Sequence, residues 1–331
     1  MQNMRRTDMT RRRFLALSAA FGGSAAWPGY GRAASEELVE WRGVALGAQA
    51  SIRLAHPDRE AGRSLLQRCV AEIERLERIF SLYRSDSALC RLNAQGALDL
   101  PPLELVELLS IAGEVSAVSG GAFDVTVQPL WRRFRDHFQK PDADPSGPKV
   151  DDVLRLVGWN NVSVEIDRIA LLRRGMAVTL NGIAQGYITD RMAELLRAEG
   201  MDSVLIDLGE IRALGSRPGG APWRVGLADP VAAGQVAERL ELRDTALATS
   251  GGYGVAFEPT GHRNHLIDPR SGRSAPPQRA VSVLAPRATI ADAASTALAL
   301  LPESEVRFLL RRLGANAAYI QGASGLRVLR I

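Results

Sequence analysis

The sequence predicts an α+β protein made of two intimately joined lobes, with mixed sheets and packed helices. Segments with apolar residues every three or four positions, which indicate helices, are mixed with short apolar runs that indicate strands. They lack the strict strand–helix–strand alternation of a dinucleotide-binding fold. The 331 residues, 46% hydrophobic and 24% charged, suffice for one large domain or two smaller ones around a cleft.

The N-terminal residues 1–34 are typical of a twin-arginine export signal. The stretch Thr10-Arg11-Arg12-Arg13-Phe14-Leu15 is followed by a mildly apolar run to about Trp27 and by small residues up to Ala34. An amphipathic N-terminal helix is the alternative interpretation. We therefore expect export in the folded state to the periplasm, with residues 35–331 forming the working domain.

Charge and cysteine content narrow the possible partners. Residues 1–34 hold six arginines and one acid, so removing them changes the formal net charge from +4 to −1. This near-neutral body gives no electrostatic reason to expect nucleic acid. No run approaches the roughly 20 apolar residues of a membrane span, so we expect no integral membrane segment. The two cysteines, Cys69 and Cys90, do not form a disulfide framework, and Cys69 is expected to be a buried free thiol.

The first half of the body begins with a loosely alternating segment, 39–54, that predicts a strand. Apolar residues recur every three or four positions over 61–79, which predicts a helix. A second helix is predicted at 103–118, after two prolines and before two glycines. The proline-rich and acidic segment 139–149 predicts a surface loop.

The second half predicts further strands at 176–180, 204–208, 223–227, 280–284 and 317–320 from their short apolar runs. Helices are predicted at 187–199, 289–301 and 303–313 from apolar spacing of three and four.

The helix that begins near Thr289 carries an acid and a hydroxyl four residues apart. Asp292 and Thr296 would project from one face, where they could bind a hard cation such as Mg²⁺. The same spacing also fits a capping box, with Thr289 at the N-cap and Asp292 three residues later. On spacing alone, capping is the stronger interpretation.

Three other segments could carry chemistry. The turn from Leu180 to Tyr187 has glycines four apart, which permit close backbone approach to an anion, or serve only a tight strand-to-helix turn. His265 and Asp268 could act as a proton acceptor and its orienting acid, although Asp268 could instead bond the backbone of the following turn. Around Phe123, a glycine pair precedes an aromatic residue and an acid; Phe123 is by default a core residue.

Taken together, these segments resemble the FAD:protein FMN transferase family. The matching stretches occur in the family's order and span about 41 to 325: Phe80 to Ser87 with Leu92-Asn93, Gly121 to Asp124, Gly182 to Tyr187 with Asp190, Ala248 to Gly251, His265 to Pro269, and Ala291-Asp292 with Thr296-Ala297. No single stretch is specific, but six in this order are.

The resemblance implies a set of ligand-binding residues around an FAD cleft between the two lobes. Mg²⁺ would be bound by Asp292, Thr296 and the backbone carbonyl of Gly182. His265 would lie near the FAD diphosphate, where it is a candidate for proton transfer. The flavin-binding positions would be Leu46, Tyr83, Ala122, Phe123, Asp124, Gln185 and Ile267.

The resemblance also implies the activity. Such an enzyme cleaves FAD and attaches FMN to a Thr or Ser hydroxyl of an acceptor flavoprotein subunit, which for an exported enzyme would face the periplasm. This sequence departs from many members at Gln185, Thr179, Ser295 and Gly252, where those members carry charged or other polar residues. An FAD pyrophosphatase and a periplasmic FAD carrier therefore remain as alternatives.

Overall fold

The computed structural model describes residues 37–232 and 234–331. Within these ranges the strands are β1 (Glu37–Ala45), β2 (Ala48–His56), β3 (Ala97–Asp99), β4 (Val162–Val164), β5 (Arg168–Leu171), β6 (Ser203–Asp207), β7 (Ile211–Gly215), β8 (Trp223–Ala228), β9 (Val236–Leu242), β10 (Ala246–Gly251), β11 (Ala280–Ala285), β12 (Ala317–Gly322) and β13 (Gly325–Arg330). The α-helices are α1 (Arg59–Phe80), α2 (Ala88–Gln95), α3 (Leu103–Val118), α4 (Gln128–Phe138), α5 (Asp151–Leu154), α6 (Ala184–Ala198), α7 (Ala288–Leu300) and α8 (Val306–Leu313). The export signal predicted at 1–34 lies outside the described residues.

The main sheet has eight strands in the order β1-β2-β6-β7-β10-β11-β12-β13. All its neighbouring strands run antiparallel. Two small sheets, β3-β5-β4 and β8-β9, complete the fold. The α+β prediction is confirmed.

The two faces of the main sheet are covered differently. Strand β6 alternates, with Val204 and Ile206 in the core formed with the helices and Leu205 in a second core on the opposite face. Helices α1, α6 and α7 contact the sheet on the first face. The hairpin β8–β9 supplies Trp223 and Leu242 to the second core. The helical face is the one that positions the candidate site.

Most predicted elements are present, with two instructive differences. Segment 39–54 is a hairpin of two strands, β1 and β2, rather than one strand. Segment 176–180 is irregular. The Val178 backbone N–H and C=O bond the side-chain amide of Asn93, and Thr179 N–H donates to the Val125 carbonyl. Because loop groups satisfy this backbone, an apolar run that resembles a strand pairs with no neighbouring strand.

Two smaller expectations are also resolved. Cys69 is a buried free thiol on α1, as predicted, and Cys90 is also free. None of the helices in the described ranges is both long enough and apolar enough to cross a lipid bilayer.

Candidate active site

A cleft opens where the ends of β6 and β10 meet the first turns of α6 and α7. It is bordered by the turn 207–211, the end of β10 and the segment 122–131. Of the predicted site residues, nine line this cleft: Ala122, Phe123, Asp124, Gly182, Gln185, His265, Ile267, Asp292 and Thr296. The fold therefore brings together residues that are up to 174 positions apart, between Ala122 and Thr296, in one concave surface.

The start of α7 is fixed by α6 rather than by a capping box. The Asp190 carboxylate on α6 accepts hydrogen bonds from Ala288 N (2.8 Å), Thr289 N (2.9 Å) and the Thr289 hydroxyl (2.7 Å). The N-cap position is Arg287, and no side chain of the helix caps it. The capping-box interpretation of Thr289 and Asp292 is therefore wrong, because Asp190 satisfies the free amides that Thr289 would have served.

The Asp292 carboxylate instead turns towards α6 and the cleft. Its Oδ2 accepts a hydrogen bond from Gly186 N at 3.1 Å. Gly186 is the third residue of α6, so its amide is one of the first four that a helix leaves without an intrahelical partner. Among the hydrogen bonds of the described residues, none reaches the Gly182 carbonyl. A carbonyl oxygen and a carboxylate are thus both available at this end of the cleft.

Thr296 completes this group of oxygen atoms. A methyl group built on Gly182 would lie 2.9 Å from Thr296 Oγ1, so the hydroxyl packs directly over the glycine. Likewise, a methyl group on Gly186 would lie 2.4 Å from the Ala288 carbonyl oxygen and 2.9 Å from Asp292 Cβ. The two glycines of the 180–187 turn therefore permit α6 and α7 to approach closely, which brings Gly182, Asp292 and Thr296 together.

Three carboxylates make this end of the cleft acidic. Asp292 is 3% exposed, and burial raises its pKa to about 7. Burial likewise raises the pKa of Asp207 to about 6. Burial, reinforced by the charges of Asp292 and Asp207, raises the pKa of Glu210 well above its ordinary value. Glu210 Oε2 is buried without a hydrogen-bond partner among the described residues. In the same part of the chain, no basic side chain lowers the pKa of Asp292 or Glu210, and only the Arg53 charge lowers that of Asp207.

The residue types fit a hard divalent cation. Carboxylate, hydroxyl and carbonyl oxygens are the ligands that Mg²⁺ prefers, and Mg²⁺ commonly uses few protein ligands plus substrate phosphates. The described part of the chain contains no cluster of three His, Cys, Asp or Glu side chains able to hold a metal, as a zinc site would require. The Gly182 carbonyl, which accepts no hydrogen bond within the described ranges, and the buried Asp292 and Glu210 carboxylates both support the fit of Mg²⁺.

His265 lies at another side of the cleft, on the segment before the turn at 268–272. Burial lowers its pKa to about 4, so the ring is neutral at pH 7. Val255 N donates to its Nδ1 at 3.2 Å. A ring nitrogen that accepts a hydrogen bond carries no proton, so the neutral ring holds its proton on Nε2. In this arrangement His265 offers the cleft a hydrogen-bond donor.

Asp268 is not brought together with His265. Its carboxylate accepts from Arg270 N and forms a two-pronged ion pair with the Arg270 guanidinium, each contact at 2.9 Å. Its carbonyl accepts from Gly272 N at 2.8 Å. Asp268 thus shapes the turn, as its alternative interpretation stated.

The predicted flavin-binding residues differ in how they meet the cleft. Ala122, Phe123 and Ile267 are buried apolar residues that line it. The Asp124 carboxylate is fully used inside the fold by Thr126 N, Thr126 Oγ1 and Trp159 N. Gln185 donates from Nε2 to the Leu208 carbonyl at 3.1 Å.

Two predicted flavin-binding residues lie outside the cleft lining. Leu46 lies at the tip of the β1–β2 hairpin, with φ 47°, and its N–H donates to Glu77 Oε1 at 2.5 Å. Ala48, two residues later, does line the cleft. Tyr83 is 65% exposed.

Sequence reasoning missed three residues of this surface. Asp207 and Glu210 flank a glycine directly after the buried strand β6, and this acid–x–Gly–acid turn was the available signal. Trp131 on α4 also lines the cleft, and the Arg135 guanidinium lies 5.4 Å from the centre of its ring. An aromatic residue within an arginine-rich helix gives no signal that it would face a cleft.

Comparison with known proteins covers almost the whole described chain. A model of the ApbE family matches residues 46–320. The FAD:protein FMN transferase of Treponema pallidum is 35% identical over 269 residues, which are 75% of this chain and 74% of that protein. The FAD:protein FMN transferase of Vibrio cholerae is 31% identical over 279 residues, 81% of this chain and 82% of that protein.

Solved structures give the same result for the fold. The apo form of the Pseudomonas stutzeri flavinyl transferase ApbE superposes with a TM-score of 0.72 at 27% identity, covering 89% of this chain and 96% of that one. The flavin transferase ApbE from Vibrio cholerae superposes with a TM-score of 0.74 at 25% identity, covering 89% and 97%.

Proposed function

This chain belongs to the ApbE family and is an FAD:protein FMN transferase. We propose that its reaction depends on Mg²⁺ and that Asp292, Thr296 and the Gly182 carbonyl bind this ion. The observation that carries the proposal is the Gly182 carbonyl, which accepts no hydrogen bond among the described residues and lies beside the Thr296 hydroxyl and the Asp292 carboxylate.

Electrostatics supports the need for a cation. Asp207, Glu210 and Asp292 line the same end of the cleft, and the dinucleotide substrate would bring two more negative phosphates. Like charges repel in a buried site, and the charges of Asp292 and Asp207 already disfavour ionisation of Glu210. When bound, Mg²⁺ neutralises charge on the diphosphate and acts as a Lewis acid.

In the proposed reaction, the acceptor's Thr or Ser oxygen forms a bond to the FMN phosphorus. The bond from that phosphorus to the bridging oxygen breaks, AMP leaves with that oxygen, and the hydroxyl proton passes to the departing AMP phosphate or to water. Phosphoryl transfer has a loose transition state, so positioning and charge stabilisation dominate over proton removal. We assign His265 to this stabilisation, with its Nε2–H donating to a phosphate oxygen.

The remaining residues would orient the flavin. Ala122, Phe123 and Ile267 offer an apolar wall. The Asp124 carboxylate is already hydrogen-bonded within the fold, so Asp124 would contact the ligand through its backbone. Gln185 lines the floor beside the 207–211 turn. Leu46 and Tyr83 would contact the flavin from the rim.

The predicted export signal at 1–34 supports a proposal for the location of the enzyme and for its acceptor. Export of residues 35–331 by the twin-arginine route would place the enzyme in the periplasm. The acceptor would then be a periplasm-facing flavoprotein subunit that carries a Thr or Ser attachment motif. Neither nucleic acid nor a membrane-spanning segment has a part in this proposal.

The direct test uses purified 35–331, FAD, MgCl₂ and an acceptor domain. We expect the acceptor to gain the mass of one FMN, with release of AMP. Chelation of the metal should abolish transfer. Asp292→Ala should lower the rate at least about 10³-fold while retaining the fold, since Mg²⁺ catalysis supplies several kcal/mol.

Thr289→Ala is the matched control, because Thr289 lies on the same helix and its hydroxyl bonds Asp190 rather than the cleft. Transfer by Asp292→Ala at the normal rate would refute the metal assignment. Free FMN and AMP, formed without an acceptor as fast as with one, would indicate an FAD pyrophosphatase. Retained FAD with no turnover would indicate a carrier.

A further inference from the structure

Two serine hydroxyls that the reaction as proposed does not use form a hydrogen-bonded chain with Thr296, one of the proposed cation ligands. Ser250 at the end of β10 contacts Ser295 and Thr296 on α7, with Oγ–Oγ and Oγ–Oγ1 distances of 2.8 and 3.1 Å. Ser295 Oγ in turn contacts the Asp292 carbonyl at 2.9 Å. Ser295 is buried and Ser250 is half-buried.

The direction of every bond in this chain is fixed by counting protons. Each hydroxyl has one proton to donate, and a carbonyl oxygen only accepts. Ser295 therefore donates its one hydrogen bond to the Asp292 carbonyl. The Ser250–Ser295 bond then requires Ser250 as donor, and the Ser250–Thr296 bond requires Thr296 as donor.

This order has a consequence for Thr296. Its proton is directed to Ser250, so both lone pairs of Oγ1 remain free for other partners, and Gly182 packs in contact with this oxygen. A hydroxyl binds a cation through a lone pair, and a proton pointing at the cation would oppose binding. Groups behind a ligand that fix its orientation commonly change metal affinity 10- to 100-fold.

We propose that Ser250 is a positioning residue for cation binding. Ser250 accepts a hydrogen bond from the Thr296 hydroxyl, and Ser295 keeps Ser250 in this accepting role because it accepts the Ser250 hydrogen bond. The proposal rests on the proposed function, because it assumes that Thr296 is a ligand of Mg²⁺. It adds two residues, Ser250 on β10 and Ser295 on α7, to the structure that determines metal affinity.

The test measures Mg²⁺ binding by calorimetry, titrating MgCl₂ into protein saturated with FAD and without acceptor. Ser250→Ala should raise the Mg²⁺ dissociation constant at least about tenfold. FAD affinity measured in EDTA and the melting temperature of the metal-free protein should stay close to those of the original chain. Transfer should recover towards the original rate at high Mg²⁺ concentration.

Ser295→Ala separates orientation from direct ligation by Ser250. Without Ser295 the Ser250 proton is free to turn towards Thr296, so Mg²⁺ binding should weaken by roughly three- to tenfold. The double variant should be no worse than Ser250→Ala, because both changes act through one chain. If Ser295→Ala leaves the Mg²⁺ dissociation constant unchanged while Ser250→Ala raises it, the orienting role of Ser250 is wrong. Ser250 would then bind the ion directly.

Ser282→Ala is the matched control. Ser282 is a buried serine on β11 whose hydroxyl bonds Thr249 at 2.7 Å, next to but outside the chain. Its Mg²⁺ dissociation constant should be unchanged. If Ser250→Ala binds Mg²⁺ within twofold of the original, the inference is wrong while the proposed function stands. If the original protein binds no Mg²⁺ with FAD, the proposed function fails first.

Discussion

Helix α7 and the segment 262–273 both line the cleft, and each carries a pair of side chains whose spacing suggested joint chemistry. On α7, Asp292 and Thr296 are four residues apart and meet Gly182 at one end of the cleft. In the other segment, His265 and Asp268 are three residues apart, yet Asp268 bonds its own turn and Arg270. Only the helical pair forms one site.

The difference arises from what fixes the backbone. In a helix, positions four apart always share a face, so spacing determines geometry. In a turn, side chains such as Asp compete to bond nearby amides, and that local bond decides their direction. Two acids illustrate this difference. Asp190 accepts hydrogen bonds from the first amides of α7, so Asp292 does not cap the helix and faces the cleft. Asp268 instead accepts a hydrogen bond from the Arg270 amide of its own turn.

Among changes to packing, the largest effect is expected at Gly186, where α6 and α7 approach closely. Gly186→Ala would place a methyl group 2.4 Å from the Ala288 carbonyl oxygen, a backbone atom that cannot move alone. We expect the free energy of unfolding to fall by about 2 kcal/mol through overpacking. Transfer should fall at least about 100-fold, because Asp292 is displaced. Urea unfolding and the FMN transfer rate measure the two effects.

The corresponding change at the other segment is Gly254→Ala, which would place a methyl group 2.7 Å from His265 Cε1. A side-chain ring can move, so the loss of stability should be under about 1 kcal/mol and the loss of transfer about tenfold. Equal effects in the two glycine variants would break the contrast between a rigid helical pair and an adaptable loop.

The same contrast explains how far the sequence could predict this molecule. Helix α3 was predicted at its observed bounds, 103–118, because apolar periodicity and flanking prolines and glycines are local signals. The segment 176–180 was wrongly predicted as a strand, since its backbone partners come from Asn93 and Val125, far away in sequence.

Within the site, the placement of Asp292 and Thr296 on one face of α7 was predictable, and its surroundings were not. Asp190 replaced the predicted capping box because it approaches from another helix, 98 residues before Ala288. Glu210 was missed because its importance arises from burial beside Asp292 and Asp207, which only the fold creates.

His265 is expected to contribute to transfer without help from Asp268, which bonds Arg270 instead. His265→Ala should lower transfer by about 100-fold, the usual effect of removing one donor from developing charge. His265→Gln keeps a side-chain N–H and should recover to within about tenfold of the original. Asp268→Ala should reduce transfer less than threefold and lower stability by about 1 kcal/mol, through loss of its turn bonds. If Gln is as defective as Ala, His265 acts as a base.

Metal binding should depend on pH through Asp292. Its folded pKa is raised to about 7, so between about pH 4 and 7 the folded protein holds a proton that the unfolded chain has lost. Metal-free stability therefore falls as pH rises through this range. Mg²⁺ needs the ionised carboxylate, so its stabilising effect should grow with pH.

With FAD present, Mg²⁺ at about 100 times its dissociation constant should raise the melting temperature by roughly 5 °C at pH 8, from about 2.7 kcal/mol of binding. The same concentration should give less than half that shift at pH 5.5. Asp292→Asn should give little shift at either pH. A shift that is equal at both pH values in the original chain would remove Asp292 from the cation site.

The smallest expected effect comes from the titration of His265. Its pKa falls to about 4 on folding, from about 6.5 in an unfolded chain, so the unfolded state binds more protons between these values. Stability should therefore decline as pH falls from 6.5 to 4. The ring is half-buried and faces the cleft, so water screens part of the effect and about 1 kcal/mol is expected. In urea unfolding, His265→Gln should reduce this loss of stability between pH 6.5 and 4, whereas Asp268→Asn should leave the loss unchanged. If the loss persists in full in His265→Gln, the ring is solvated enough to titrate normally.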